Sequence, residues 1–211
     1  MIDRNHLAPR RIIDVGCGTG RVASLIADKY GADVEGYDIS PQAIGEATSK
    51  YGSPRLRFLR GAVADAPCDY DLGTLLDVLE HVEDYIGFLR ETRRHAPRWI
   101  MHIPLDLTVF SALHDGHMHS RAALGHLHYF SESSALATLE YCGFTVRDVI
   151  HTCGFMQHFK TKRTWRAMPL MLPRLALFGL SPRLCARLLG GVSLMVLAER
   201  REDAAEGSGK P

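Results

Sequence analysis

A chain of 211 residues suits one domain with a single sizeable core, and 46% hydrophobic against 23% charged residues is the balance of an ordinary globular protein. A formal net charge of +1 supplies no general attraction to nucleic acid. Five cysteines, Cys17, Cys68, Cys142, Cys153 and Cys185, lack CxxC spacing and are odd in number, which points to free thiols rather than to disulfides or a zinc site. The first residues carry no apolar export segment and no apolar run approaches the roughly 18 residues that span a bilayer, so a cytoplasmic location is expected.

Residues 1–11 are short and polar. Ile12-Ile13-Asp14-Val15 then reads as a buried strand that runs into Gly16-Cys17-Gly18-Thr19-Gly20 and a helix over 21–30. Glycines at alternate positions let the backbone turn sharply and bring its amides against a ligand. A dinucleotide fingerprint places its third glycine three residues after the second, whereas here the interval is two, and Asp14 at the strand end repels a pyrophosphate but suits an ammonium group. This spacing disfavours a nucleotide-dependent reductase, and no Gly-Lys-Ser/Thr follows to make a phosphate loop. A second strand over 33–37 ends at Asp38, where a carboxylate can accept hydrogen bonds from a ribose diol. The implied ligand has a ribose and an amine and no phosphate.

Ser40-Pro41 gives an N-cap followed by proline in the first turn of a helix over 41–51, and a third strand follows over 56–59. A fourth strand begins at Tyr70 and leads into Asp77-Val78-Leu79-Glu80-His81-Val82. A helix from Tyr85 to about His95 and a fifth strand over 98–103 come next. The long connection 105–129 holds five of the eleven histidines: His114, His117, His119, His126 and His128. Ser131 caps a helix reaching Cys142-Gly143, and a sixth strand runs to about Thr152. Between Asp148 and Glu199 there is no acidic residue, and the stretch 154–190 interleaves seven lysines and arginines with Trp165, methionines, leucines and three prolines. It reads as two or three short amphipathic helices inserted before a last strand over 193–198, and the tail 200–211 reads as disordered.

Strands alternating with helices imply an α/β fold: one Rossmann-like, doubly wound, seven-stranded sheet, mostly parallel, over residues 1–199. The last strand, arriving without a helix of its own, is expected to pair antiparallel at the edge.

The glycine loop, the strand-end Asp38, the Asp-Val-Leu-Glu-His-Val segment and Gly125-His126-Leu-His128-Tyr129-Phe130-Ser131 with its following helix and Cys-Gly-Phe-Thr-Val together resemble the class I S-adenosylmethionine-dependent methyltransferases. The likeness is to the small-molecule enzymes of quinone, lipid and natural-product pathways. It implies S-adenosylmethionine as cofactor, held by Asp14, Gly16, Cys17, Gly18, Gly20, Asp38, Ile39, Ala62, Val63, Asp77 and Val78. The Gly-Asp pair usual after strand three is replaced by Gly61-Ala62-Val63-Ala64-Asp65, so adenine is left to apolar walls and backbone, or to Asp65. The family's helices before the first strand have no counterpart in residues 1–11, so cover for the site is expected from another segment or a partner.

Methyl transfer from a sulfonium is an in-line displacement that needs alignment and a deprotonated acceptor. Histidine, near neutral in pKa, fits the second task, with His81 the first candidate and His126 or His128 the next. An oxygen atom of a small, hydrophobic or acidic molecule is the expected acceptor. No metal is expected: His114-x2-His117-x-His119 lacks the helical i, i+4 pair of metallohydrolases. The basic, apolar insert is read as a lid over the acceptor, with peripheral contact to an anionic membrane through 160–187 as a second reading. Nucleic acid is not an expected partner. The alternative to an enzyme is a non-catalytic or partner-dependent cofactor-binding subunit of a biosynthetic complex.

Overall fold

The computed structural model describes residues 1–154 and 164–202. The chain builds β1 (Arg11–Val15), α1 (Arg21–Tyr30), β2 (Asp33–Asp38), α2 (Pro41–Tyr51), β3 (Leu56–Arg60), β4 (Leu72–Leu76), α3 (Tyr85–Thr92) and β5 (Arg98–Pro104). It continues through α4 (Val109–Leu113), α5 (Gly116–Leu124), α6 (Glu132–Tyr141), β6 (Phe144–Cys153), α7 (Thr164–Leu180), α8 (Pro182–Leu188) and β7 (Val192–Arg200). Local chemistry sets several of these boundaries. The Ser40 hydroxyl accepts from the Ala43 amide at 3.2 Å with Pro41 in the first turn, and Gly31 at φ +64° closes α1 by donating to the Ala27 carbonyl at 2.9 Å.

One seven-stranded sheet results, ordered β3-β2-β1-β4-β5-β7-β6. The first five pair in parallel, and β7 is antiparallel to both β5 and β6. The expected antiparallel last strand is therefore present but lies inside the sheet, and β6 forms the edge. The reason is burial: Val192–Arg200 is apolar on both faces, which only an internal strand can hide, whereas β6 carries Arg147, Asp148, His151 and Thr152 and bulges at Val146/Asp148.

Apolar clusters fill both faces. Ala23 of α1 and Ala47 of α2 pack with Ile12, Val34 and Leu72 on one side, and Leu89 of α3 and Leu139 of α6 pack with Leu75, Trp99 and Met101 on the other. The connection 105–129 is not irregular: it folds α4 and α5, whose low apolar periodicity hides them in the sequence, and α5 buries no residue. Among the described residues the insert forms two helices, as expected in number, but the first is longer, 17 residues against 7; residues 155–163 and the tail beyond 202 lie outside the described residues.

Candidate active site

The strand order turns back between β1 and β4, which is where doubly wound sheets bind ligands at the carboxyl ends of their strands. The loop after β1 occupies that point. Gly16, Gly18 and Gly20 all take positive φ, and each meets a different demand. A Cβ on Gly16 would lie 2.5 Å from the Val78 side chain and one on Gly20 2.5 Å from the Phe58 ring, so these two let neighbouring elements close up. A Cβ on Gly18 would meet nothing within 4 Å, so that glycine faces open space at the rim.

Two acids frame this space. Asp14, 3% exposed, accepts from the Thr74 hydroxyl at 2.6 Å, and burial, with Asp38 adding repulsion, pushes its carboxyl up to about 6. Asp38 accepts from the amides of Gly18 at 2.9 Å and Ser40 at 2.8 Å, one on each oxygen, which fixes the carboxylate and leaves a lone pair on each for a diol. Among the described residues neither acid pairs with a cation. Ile39 projects beside them, 76% exposed, and Val63 is buried. Cys17 is no nucleophile: burial and the two acids push its thiol up to about 12. Asp65 is already committed to the Ala62 amide at 3.0 Å, closing a 3-10 turn. An open negative cleft with fixed diol acceptors and an exposed apolar side chain fits a cationic nucleoside such as S-adenosylmethionine.

Further along the rim, side chains distant in sequence converge. His81 donates from Nδ1 to the Gly125 carbonyl at 3.2 Å, and His126 donates from Nδ1 to the Asp106 carboxylate at 2.5 Å. Each ring is thereby held in the tautomer that leaves Nε2 as an acceptor. The rings meet edge to face with centroids 5.0 Å apart. Beneath them Glu80, 1% exposed, has no hydrogen-bond partner on either carboxyl oxygen among the described residues, and burial, with Asp77 and Asp106 adding repulsion, pushes it up to about 8. Glu80, His81 and His126 offer ligand atoms within 4.8 Å of one another, a set that could share a proton or hold a divalent cation.

Next to it, Asp77 sits at φ +55°, a conformation few residues without glycine's freedom adopt. Its carboxylate accepts from His102 Nδ1 at 2.6 Å, and His102 Nε2 is hydrogen-bonded to the Thr152 hydroxyl at 2.8 Å, which also reaches the Ser193 carbonyl at 3.3 Å. The ends of β4, β5 and β6 are thus joined by one chain of hydrogen bonds.

The structure therefore brings Asp14, the glycines, Asp38, Ile39, Val63, Asp77 and Val78 to one rim, with His81 and His126 further along it. His128 turns elsewhere: its Nε2 donates to the carbonyls of Val82 at 3.0 Å and Glu83 at 3.1 Å, and its ring packs on Tyr85 at 4.5 Å. His114 stacks on Phe110 and His117 packs against Tyr129, and neither joins a ligand-like cluster. Sequence reading did not single out Glu80, His102, Asp106 or Thr152. For Glu80 a signal existed, an acid within the apolar run Val78-Leu79 and Val82, but its His126 neighbour is set only by tertiary folding.

The glycine turn, the two strand-end acids and the sheet order define the class I S-adenosylmethionine-dependent methyltransferases. The sequence model of a methyltransferase domain matches residues 2–149, and the chain belongs to that family. Among similar proteins, the mitochondrial ubiquinone biosynthesis O-methyltransferase of Schizosaccharomyces pombe is 37% identical over 95 residues, covering 41% of this chain and 34% of that one. The ubiquinone biosynthesis O-methyltransferase of Albidiferax ferrireducens is 26% identical over 177 residues, covering 76% of this chain and 70% of that one. The matches to the first two curated relatives span 34% and 36% of those relatives' length. Among solved structures, magnesium protoporphyrin IX methyltransferase from Synechocystis PCC 6803 with bound S-adenosylhomocysteine shares the fold, with a TM-score of 0.63 at 20% identity, over 94% of this chain and 78% of that one.

Proposed function

We propose that this methyltransferase acts on an oxygen atom of a small, largely apolar molecule, and that His81 is the base. S-adenosylmethionine, when bound, supplies a methyl group on a positively charged sulfur, already reactive toward a lone pair. In this reading Asp14 neutralises the amino group of the cofactor and Asp38 accepts the two ribose hydroxyls. Ile39, Ala62 and Val63 flank the adenine, and Asp77 and Val78 border the methionine end.

The observation that carries the oxygen assignment is the pair of imidazoles whose Nδ1 protons are tied to Gly125 and Asp106. A hydroxyl acceptor must lose a proton, and His81, whose side chain is 41% exposed, offers an Nε2 lone pair at the accessible face of the cluster. His126 backs it from a buried position, its ring oriented by the bond to Asp106. Glu80 lies 3.9 Å from His81 Nε2, and its burial pushes its carboxyl up to about 8, so that it holds its proton at neutral pH. The relatives named for ubiquinone biosynthesis O-methylation support an aromatic hydroxyl as the acceptor class.

The test is a product-mass screen of the full chain with S-adenosylmethionine against phenols, catechols, hydroxyquinols and carboxylic acids. A gain of one methyl on a hydroxyl supports the reading; methylation confined to amines overturns it. Cofactor affinity is measured beside it by calorimetry.

A further inference from the structure

The insert between β6 and β7 presents an apolar face that the catalytic reading does not use. Within α7, the exposed residues from 170 to 180 are Leu172, Pro173, Leu175, Ala176, Gly179 and Leu180, without a polar group among them. Leu172 is 76% and Leu180 85% exposed. The other face holds the helix on the fold through Leu177 and Phe178. The one charged residue of this span, Arg174, turns inward and donates to the Leu189 carbonyl at 3.1 and 2.8 Å, bracing α7 against the end of α8. Burial draws its pKa below the usual range. A surface helix of a globular protein normally shows water its polar side; this one is apolar on both.

The continuation of the same surface is cationic. On α8 the exposed positions are Arg183, Leu184, Arg187 and Leu188, an alternation of leucine with arginine at helical spacing. Arg183 bridges to Glu132 while keeping most of its side chain in solvent. In the sequence no acid interrupts from Asp148 to Glu199. Among the described residues no helix is long and apolar enough to cross a membrane. Leucines projecting outward, arginines beside them and no negative charge are the features that seat a helix in the headgroup region of an anionic bilayer.

We propose that the α7–α8 hairpin docks this protein on an anionic lipid surface, with Leu172, Leu175 and Leu180 entering the acyl boundary and Arg187 meeting the headgroups. Both ends of the hairpin join the sheet at the rim that carries the candidate active site, since β6 ends and β7 begins there. Docking therefore turns the acceptor side toward the bilayer, where an apolar acceptor concentrates; this last point rests on the function proposed above, whereas lipid binding does not.

The experiment is flotation of the full chain with vesicles of phosphatidylcholine containing about a third phosphatidylglycerol, against phosphatidylcholine alone. Binding is expected to the anionic vesicles, to fall at high salt as surface charges are screened, and to weaken about 100-fold in the double variant Leu172→Ser/Leu180→Ser. Arg187→Glu is expected to cost about 10-fold on anionic vesicles and little on neutral ones. Calorimetric titration with S-adenosylmethionine is run on every variant and should be unchanged, which separates failure of docking from failure of the fold or of the methyltransferase reading. Absence of flotation with intact cofactor binding overturns the proposal. So does sedimentation showing a dimer that the leucine substitutions dissolve while vesicle binding is absent, which would make the face an interface between two copies.

Discussion

The two halves of the rim are built in different ways. On the β1–β3 side the glycines hold their own positive φ and Asp38 is fixed by the amides of Gly18 and Ser40, 20 and 2 positions away, with only Asp14 tied to a residue as distant as Thr74, 60 positions on. On the β4–β6 side each is fixed by a residue far along the chain: His126 lies close to Glu80 and His81 from 45 or more positions away, and His102 meets Thr152 from 50 away. A cofactor common to a whole class can be held by a short local motif, whereas an acceptor particular to one enzyme is met by side chains that tertiary folding assembles.

The sharpest way to break this division is to remove a group from one side and read the other. His81→Ala should lower turnover about 100- to 10,000-fold, the usual contribution of a positioned base, with cofactor affinity within about threefold of the parent. Normal turnover would end the base assignment, and a parallel loss of cofactor affinity would mean that the halves are not separable. The reciprocal variant, Asp38→Ala, removes two acceptors for the ribose and the tie that holds Gly18 and Ser40 together. Calorimetry should show cofactor affinity weaker by about 10- to 100-fold, with any remaining product still formed at the same acceptor atom.

The same contrast explains what could be read in advance. The bounds of α1 and α2, the loop and Asp38 were legible because caps, glycines and apolar spacing are local signals. Asp14 was legible as a strand-end acid, but not its partner Thr74, which stands on the neighbouring strand β4. The place of β7 was misjudged although its sequence held the clue: Val-Ser-Leu-Met-Val-Leu-Ala is apolar without alternation, as a strand covered on both faces must be. The cluster of Glu80, His81 and His126 left only half a trace. His81 stood out by type, yet the burial that raises Glu80 and the Asp106 that orients His126 depend on how the connection 105–129 returns to the rim, where the Leu127 amide donates to the Glu80 carbonyl at 2.7 Å.

Glu80 supplies a test of the β4–β6 side by stability rather than by rate. Its carboxyl is raised from 4.5 to about 8, so the folded chain binds this proton more tightly than the unfolded one. The contribution is fully present below pH 4.5 and lost as pH rises toward 8, with a slope of up to ~1.4 kcal/mol per pH unit between these values. Glu80→Gln keeps the shape and removes the titration. Thermal unfolding of the variant should therefore gain on the parent steadily from pH 5 to pH 8, and parallel pH profiles would show that Glu80 is not buried as an acid.

The smallest effect is expected at the seam of the two halves, where Asp77 follows β4 in its strained turn and His102 ties it to Thr152. Replacing the hydroxyl by a methyl, Thr152→Val, keeps the shape of the side chain but takes away the hydroxyl to which His102 Nε2 is bonded. The imidazole then loses one of its two anchors and Asp77 keeps a looser partner, a cost of about 1 kcal/mol or some fivefold. If this chain of hydrogen bonds positions the acceptor side, the loss appears as a raised KM for the acceptor and a shifted acid limb of the pH profile, at constant cofactor affinity and melting temperature. If it serves the cofactor side instead, calorimetry registers the fivefold loss and the acceptor KM stays put. A fall confined to melting temperature reduces it to a brace between β5 and β6.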